Sequence, residues 1–211
     1  RQDRLDTSMH LQADIERLLV TASSHPAGLR SPSTVHTSTA DDAGLTCAIT
    51  ASAGYGSGVI PAGTGIWMNN SLGESELTKH GFHALPPGAR LPSNMAPTVG
   101  YGSDEVLAIG SPGADRITTA IFQTLMNYAH LGMPIQDAVN HPRLHMEWPA
   151  PNQMRVAYEP GLPVDALNIP QRRCDDLDMC FGGVGAVTFA APTRFELAAD
   201  VRRTGGTAVS G

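Results

Sequence analysis

Thr34-Val35-His36-Thr37-Ser38-Thr39-Ala40, then Asp41-Asp42-Ala43-Gly44, then Leu45-Thr46-Cys47-Ala48-Ile49-Thr50-Ala51-Ser52 is the stretch on which the fold turns. Residues 35–40 and 45–52 are rich in β-branched side chains and flank a turn whose glycine can take positive φ, which predicts a β-hairpin. With four residues in the turn, Ala40 faces Leu45 and Thr34 falls opposite Ala51, within one residue of slip. Ser52 then lies close to Thr34. Upstream, residues 23–33 collect prolines, serines and a glycine that cannot bury enough surface to order themselves, and read as a linker. Before it, Met9, Leu11, Ile15, Leu18 and Leu19 recur at mostly helical spacing, predicting a helix over 8–20 capped near Thr7 or Ser8.

Downstream of the hairpin, glycines at 54, 56, 58, 63 and 65 lead to an expected strand over 65–70. A further strand over 106–110 runs into Ser111-Pro112-Gly113-Ala114-Asp115-Arg116 and then a helix over 117–130, with Gly132 just past its end. A strand entering a glycine turn and a helix start offers free backbone N–H groups. A second helix covers 135–140, stopped by Pro142, and strands are expected around 156–158, 185–189 and 194–198. No internal repeat interrupts this order.

Composition bounds the rest. The 211 residues suffice for one core, and 41% hydrophobic with 16% charged residues and 22 glycines fit a soluble α/β protein with many tight turns. A net charge of −6 with no Lys/Arg block argues against a nucleic-acid partner or a polybasic membrane patch, and points to small-molecule partners. No run of 18 apolar residues suggests a membrane segment, and the start, Arg1-Gln2-Asp3-Arg4, lacks a signal peptide's apolar region, so the sequence reads as beginning mid-protein. The compartment stays open. Three cysteines leave at least one free thiol; reduced cysteines with Cys47 buried in a strand are the expectation, and a Cys174–Cys180 bridge is the alternative. No G-x-S-x-G elbow is present, and Gly54-Tyr55-Gly56-Ser57-Gly58 lacks the spacing of a dinucleotide loop. His141 and His145, with Glu147 nearby, and His80 with His83 have ligand-like spacing. Pro142 disturbs the helix that would align the first pair, so structural or surface histidines are expected and neither metal nor cofactor is called for.

By composition alone Thr34 is an ordinary strand starter. However, the segment it opens resembles the start of the small subunit of γ-glutamyltranspeptidases, whose first residue is the catalytic threonine. The similarity continues in order through Tyr55-Gly56-Ser57-Gly58, Gly65-Ile66-Trp67-Met68-Asn69-Asn70, Pro87-Gly88-Ala89-Arg90-Leu91-Pro92-Ser93-Asn94-Met95-Ala96-Pro97-Thr98, Gly110-Ser111-Pro112-Gly113-Ala114-Asp115-Arg116-Ile117 and Asn140-His141-Pro142-Arg143-Leu144-His145. It covers about Thr34 to Gly206 and is weakest around Pro160 to Met179. Residues 34–211 resemble the small subunit and residues 1–33 the tail of the large one, the rest of which would be the partner of this chain. The resemblance implies an α+β fold, the four-layer αββα N-terminal-nucleophile hydrolase sandwich, and self-cleavage between Ser33 and Thr34.

The same resemblance implies the chemistry. Cleavage would give Thr34 a free α-amine, whose pKa of about 7.7–8.0 suits it as base for its own hydroxyl. The family's oxyanion donors fall at Gly113 and Ala114, where alanine is tolerable if φ stays negative. Ser52 stands for a threonine that contacts the nucleophile. In the donor pocket an asparagine before Tyr55 is missing, since Ala53-Gly54 is shorter by two. Ser71 and Glu74 replace the usual glutamine or glutamate and aspartate, and Ser93-Asn94 replaces a serine pair that binds the donor carboxylate. The carboxylate-binding arginine would lie in the large subunit. The expected function is a threonine amidohydrolase or acyltransferase that cleaves γ-glutamyl amides such as glutathione through an acyl-enzyme. The alternatives are a relative acting on another acyl group, of the oxamate or cephalosporin-acylase kind, and a non-catalytic descendant.

Overall fold

A computed structural model describes residues 34–78, 80–82, 84–150 and 152–210. The expected helix over 8–20, the linker and Ser33 lie outside the described residues. The chain divides into Arg1–Ser31 and Pro32–Gly211, and every described residue belongs to the second unit.

The hairpin forms from β1 (Thr34–Ala40) and β2 (Thr46–Ser52). Its connection is five residues long, one more than the sequence suggested. The reason is local: the Asp41 carboxylate accepts from Ala43 N at 3.0 Å and Leu45 N at 2.8 Å, while Asp41 N donates to Leu45 O at 3.0 Å. Gly44, at φ 82°, supplies the positive φ. The register therefore slips by one, and Thr34 pairs with Ser52 instead of Ala51.

Strands β3 (Thr98–Tyr101) and β4 (Glu105–Gly110) follow, then α1 (Ile117–Leu125), which continues as a π-helical turn over Met126–His130, and α2 (Ile135–Asn140). His141 is extended, as the residue before Pro142 must be, and ends α2. Strands β5 (Leu144–Ala150), β6 (Gln153–Tyr158), β7 (Gln171–Arg173), β8 (Gly185–Ala190) and β9 (Arg194–Ala199) complete the order. One sheet runs β3-β4-β8-β9, all antiparallel; a second runs β5-β6-β7, with only β6–β7 parallel. Segregated helices and mostly antiparallel sheets make the fold α+β rather than the α/β that composition suggested. No strand forms over 65–70. Gly54, Gly56, Gly58, Gly63 and Gly65 all take positive φ, and Met68 instead makes single backbone bonds to Ser57 and Val59, at 3.0 Å each.

The layers follow from strand parity. Leu107 and Ile109 of β4 point to α1 and α2, packing on Ile117, Ile121, Ile135 and Val139. Burying a side chain such as Ile109 contributes on the order of 2 kcal/mol. Gly110, of opposite parity, faces the hairpin, where His36 rests on it. The hairpin turns Thr34, His36, Ser38 and Thr50, Ser52 inward and leaves Val35 and Ile49 about 60% exposed on its outer face. Cys47 shares that outer face and is exposed, contrary to expectation; Cys174 and Cys180 are free thiols, the latter pushed up to about 12, chiefly by burial.

Behind the sheet lies a fully buried ion network. Arg143 pairs with Asp200 at 2.8 Å, and Arg202 pairs with Glu159 at 2.5 Å and Asp200 at 3.1 Å. Each carboxylate also accepts backbone N–H groups: Glu159 from Arg143 and Asp178, Asp200 from Val184 and Arg202. Arg143 donates to Phe181 O as well, so the network holds both ends of the Phe181–Val184 turn. Asp200→Ala takes from buried Arg143 its paired carboxylate and from Arg202 one of two, and is expected to cost about 3–5 kcal/mol, read as a lowered urea midpoint at unchanged slope. A loss under about 1 kcal/mol would contradict this account of the network.

Candidate active site

Thr34 Oγ1 and Ser52 Oγ lie 2.9 Å apart, across the terminal pair of the hairpin ladder. Ser52 Oγ also accepts from Gly54 N at 3.0 Å. That occupies one of its lone pairs and leaves its proton free to point at Thr34 Oγ1. The Thr34 hydroxyl proton is then free to be taken by a base.

The chain beyond Ser52 folds back on this corner. Asn70 N donates to Ala53 O at 3.3 Å, and Asn70 Oδ1 accepts from Tyr55 N at 2.7 Å. Gly54, at φ 63°, has no room for a side chain: a Cβ there would stand 3.0 Å from Glu74 Cδ, and closer still to Glu74 Oε1 and Asn70 Oδ1. Glu74 thus packs against the residue two after Ser52, its carboxyl raised by burial and then by the charge of Glu76. Ser71 opens a short 3-10 turn, Ser71–Gly73, after Asn70. Ser93 Oγ accepts from Met95 N at 3.1 Å. Among the described residues no hydrogen bond joins Ser93 or Asn94 to the Thr34–Ser52 pair.

Gly113 and Ala114 form the turn between β4 and α1. Gly113 has φ 140° and Ala114 φ 52°. The condition set for alanine at this place, a negative φ, is not met: Ala114 carries the left-handed conformation, at a cost of about 1–2 kcal/mol for a residue with a Cβ. The turn is closely packed from behind. A Cβ on Gly113 would stand 2.8 Å from Gly182 Cα, and one on Gly182 2.7 Å from Ser111 Oγ. The buried Ser111 hydroxyl donates to Pro112 O at 2.6 Å and accepts from Gly183 N at 3.0 Å, locking the two turns together.

His36 stands in the segment that Thr34 opens but was given no role there, although alternation from Thr34 places it on the same face. Its Nδ1 meets Thr50 Oγ1 and its Nε2 meets Ser38 Oγ, both at 2.8 Å, and Ser38 Oγ donates to Gly185 O at 3.2 Å. Since the Ser38 proton goes to that carbonyl, Nε2 carries a hydrogen and Nδ1 accepts from Thr50. Burial lowers its pKa, which favours the neutral ring.

Beyond the turn, His145 Nδ1 meets Thr119 Oγ1 at 2.9 Å. Burial would raise the Asp115 carboxyl, but the nearby His145 and Arg116 outweigh it and hold it at about 2. Glu147 is likewise held at about 2, against burial, by Arg172, Arg155 and Arg116. These partners occupy His145 and Glu147, two of the side chains that sequence spacing had made metal-ligand candidates. Among the described residues no group of three His, Cys, Asp or Glu is arranged around a cation, and His83 lies outside them.

Comparison with known proteins identifies the family. The gamma-glutamyltranspeptidase family profile matches residues 3–210. The chain is 30% identical over 115 residues, 54% of its length, to the glutathione hydrolase proenzyme of Bacillus subtilis (strain 168), and spans 19% of that protein. It is 29% identical over 174 residues, 75% of its length, to the glutathione hydrolase proenzyme of Escherichia coli (strain K12), and spans 30% of it. The gamma-glutamyltranspeptidase of Pseudomonas nitroreducens, solved in complex with L-DON, superposes with a TM-score of 0.66 at 25% identity, over 83% of this chain and 99% of that one. The fold is thus the α+β N-terminal-nucleophile hydrolase fold, of which the described residues form the hairpin, the four-stranded and three-stranded sheets and one helical layer. The chain belongs to the gamma-glutamyltranspeptidase family.

Proposed function

We propose that this chain is the nucleophile-bearing part of a precursor that cuts itself between Ser33 and Thr34, and then cleaves a small amide through an ester on Thr34. The observation that carries the reading is the 2.9 Å contact between Thr34 Oγ1 and Ser52 Oγ at the ladder's end. In maturation the Thr34 hydroxyl attacks the Ser33 carbonyl carbon; the C–N bond breaks, the amine takes a proton, and water opens the resulting ester. In turnover the freed α-amine takes the proton from Oγ1 as the oxygen attacks the substrate carbonyl. Charge develops on the carbonyl oxygen, where the N–H groups of Gly113 and Ala114 are preorganised donors. Collapse expels the amine product, which takes the proton back, and water or an acceptor amine then attacks the ester. The Ser52 proton steadies Thr34 Oγ1 throughout. Residues 34–211 act as the small subunit, with residues 1–33 as the tail of the large subunit, which is the partner.

γ-Glutamyl compounds, glutathione among them, are the default donors, with Glu74 facing the donor's α-amine. Ser71, Ser93 and Asn94 complete the pocket, Asn94 through an amide in place of a hydroxyl. A second reading, transfer of a different acyl group such as a dicarboxylyl, is favoured by the Gly54 corner. No side chain projects from it, and burial pushes Glu74 towards its neutral form, which holds an amine less well. The test compares γ-glutamyl anilide with glutaryl anilide, which lacks only the α-amino group, on purified full-length enzyme at one pH. Anilide cleavage with a weak preference is expected. A γ-glutamyl preference of a thousandfold, about 4 kcal/mol, would remove the second reading. No release from either would count against amide cleavage itself.

A further inference from the structure

The nucleophile and the turn that would bind its oxyanion belong to different sheets, and something must fix the gap between them. On the inward face of the hairpin, Thr34, Ser38, Ala40, Thr46, Ala48, Thr50 and Ser52 are all small, and His36 is the one bulky side chain. Its ring lies against Gly110 of β4 and Gly185 of β8, which are direct register partners. A Cβ on Gly110 would stand 2.7 Å from His36 Nε2 and closer to Cε1 and Nδ1; one on Gly185 would stand 3.5 Å from Cδ2. Neither glycine has positive φ, so the backbone alone does not call for glycine at either place. The pair is a slot shaped by the imidazole.

Both strands run from this slot straight into the candidate oxyanion region. Gly110 leads through Ser111 and Pro112 to Gly113, and Gly185 is reached from Gly182, which packs against Gly113. On the hairpin side, His36 is two residues from Thr34 and bonded to Thr50, which is two residues from Ser52.

We infer that His36 is a positioning residue: seated in the Gly110–Gly185 slot, it sets the depth of Thr34 relative to the Gly113–Ala114 turn. The inference rests on the reading of Thr34 as nucleophile. A misplacement of 1 Å at a reacting centre costs on the order of a hundredfold in rate. The role therefore predicts a loss in kcat much larger than the change in KM.

The experiment is a double-substitution cycle in the full-length precursor, with His36→Ala, Gly110→Ala, the two combined, and Gly185→Ala. Formation of the Thr34 N-terminus, kcat, KM and the urea midpoint are read for each. Gly110→Ala is expected to lower both the maturation rate and kcat by roughly a hundredfold, with KM within about threefold of the parent. Gly185→Ala should cost distinctly less. His36→Ala should also lower kcat, and adding Gly110→Ala to it should cost nothing further, because the atoms that the new methyl would strike are gone. The cycle remains decisive where both singles lose stability, since the inference concerns their coupling. Multiplying losses, or a Gly110→Ala enzyme with parental kcat, would overturn it. Activity retained by Thr34→Ala would instead remove the nucleophile reading, an outcome this cycle cannot mimic.

Discussion

Thr34→Ala yields a full-length protein that stays as one chain and releases no amine from any amide substrate. Maturation and turnover both need Oγ1, so the variant loses both at once, although the hairpin keeps its ladder and the fold its stability. Removal of a nucleophile in other acyl-transfer enzymes costs roughly a millionfold in kcat, which sets the scale. Thr34→Ser keeps the oxygen and, after cleavage, the amine, and should mature and turn over at a reduced rate. Serine lacks the γ-methyl that stiffens χ1, so its hydroxyl is held less firmly against Ser52. Band patterns on denaturing gels and anilide release, measured side by side, check the pair of variants. Processing of the alanine variant at the same bond would refute the shared-oxygen scheme.

Gly113→Ala is the second large effect. The residue sits at φ 140°, where a side chain is strained by about 1–3 kcal/mol, and the new Cβ would meet Gly182 Cα at 2.8 Å and Gly182 N at 3.3 Å. Both opposing atoms are backbone, tied by the Ser111 hydroxyl and the Arg143–Asp200 network, so the turn at 113–114 is what must move. Displacing one oxyanion donor costs about 10²–10³ in kcat. A fall of that size with little change in KM is the expected result. Parental kcat in Gly113→Ala would mean that the oxyanion is held elsewhere.

The sequence disclosed the elements whose signals are local. Helices over 117–130 and 135–140 were legible because apolar spacing, Gly132 and Pro142 mark their faces and ends, and β4 and β8 because they are apolar runs. Strand β7, Gln171-Arg172-Arg173, has no local signal at all, since it exists by parallel pairing with β6. Ile66, Trp67 and Met68 looked like a strand, yet the surrounding glycines take positive φ and deny it a ladder. Within the hairpin the strands could be read but not which face is inward. Polar Thr34, His36, Ser38, Thr50 and Ser52 face the sheet because they hydrogen-bond to one another, while Val35, Cys47 and Ile49 are left outside.

The candidate site divides in the same way. Thr34 and Ser52 could be placed together by counting across a turn, and the Asp41 loop shifted that count by only one residue. The close packing behind the Gly113–Ala114 turn could not be foreseen, because the residue that Gly113 meets, Gly182, lies 69 positions away in sequence. The glycine slot that receives His36 was invisible for the same reason: Gly110 and Gly185 become partners only when β4 and β8 pair.

The most direct test of the nucleophile assignment is to sequence the amino termini of the purified full-length protein after separating its fragments by denaturing electrophoresis. The account predicts two fragments, the smaller beginning Thr34-Val35-His36-Thr37. One uncut chain that nevertheless cleaves amides, or a smaller fragment starting at any other residue, would contradict it.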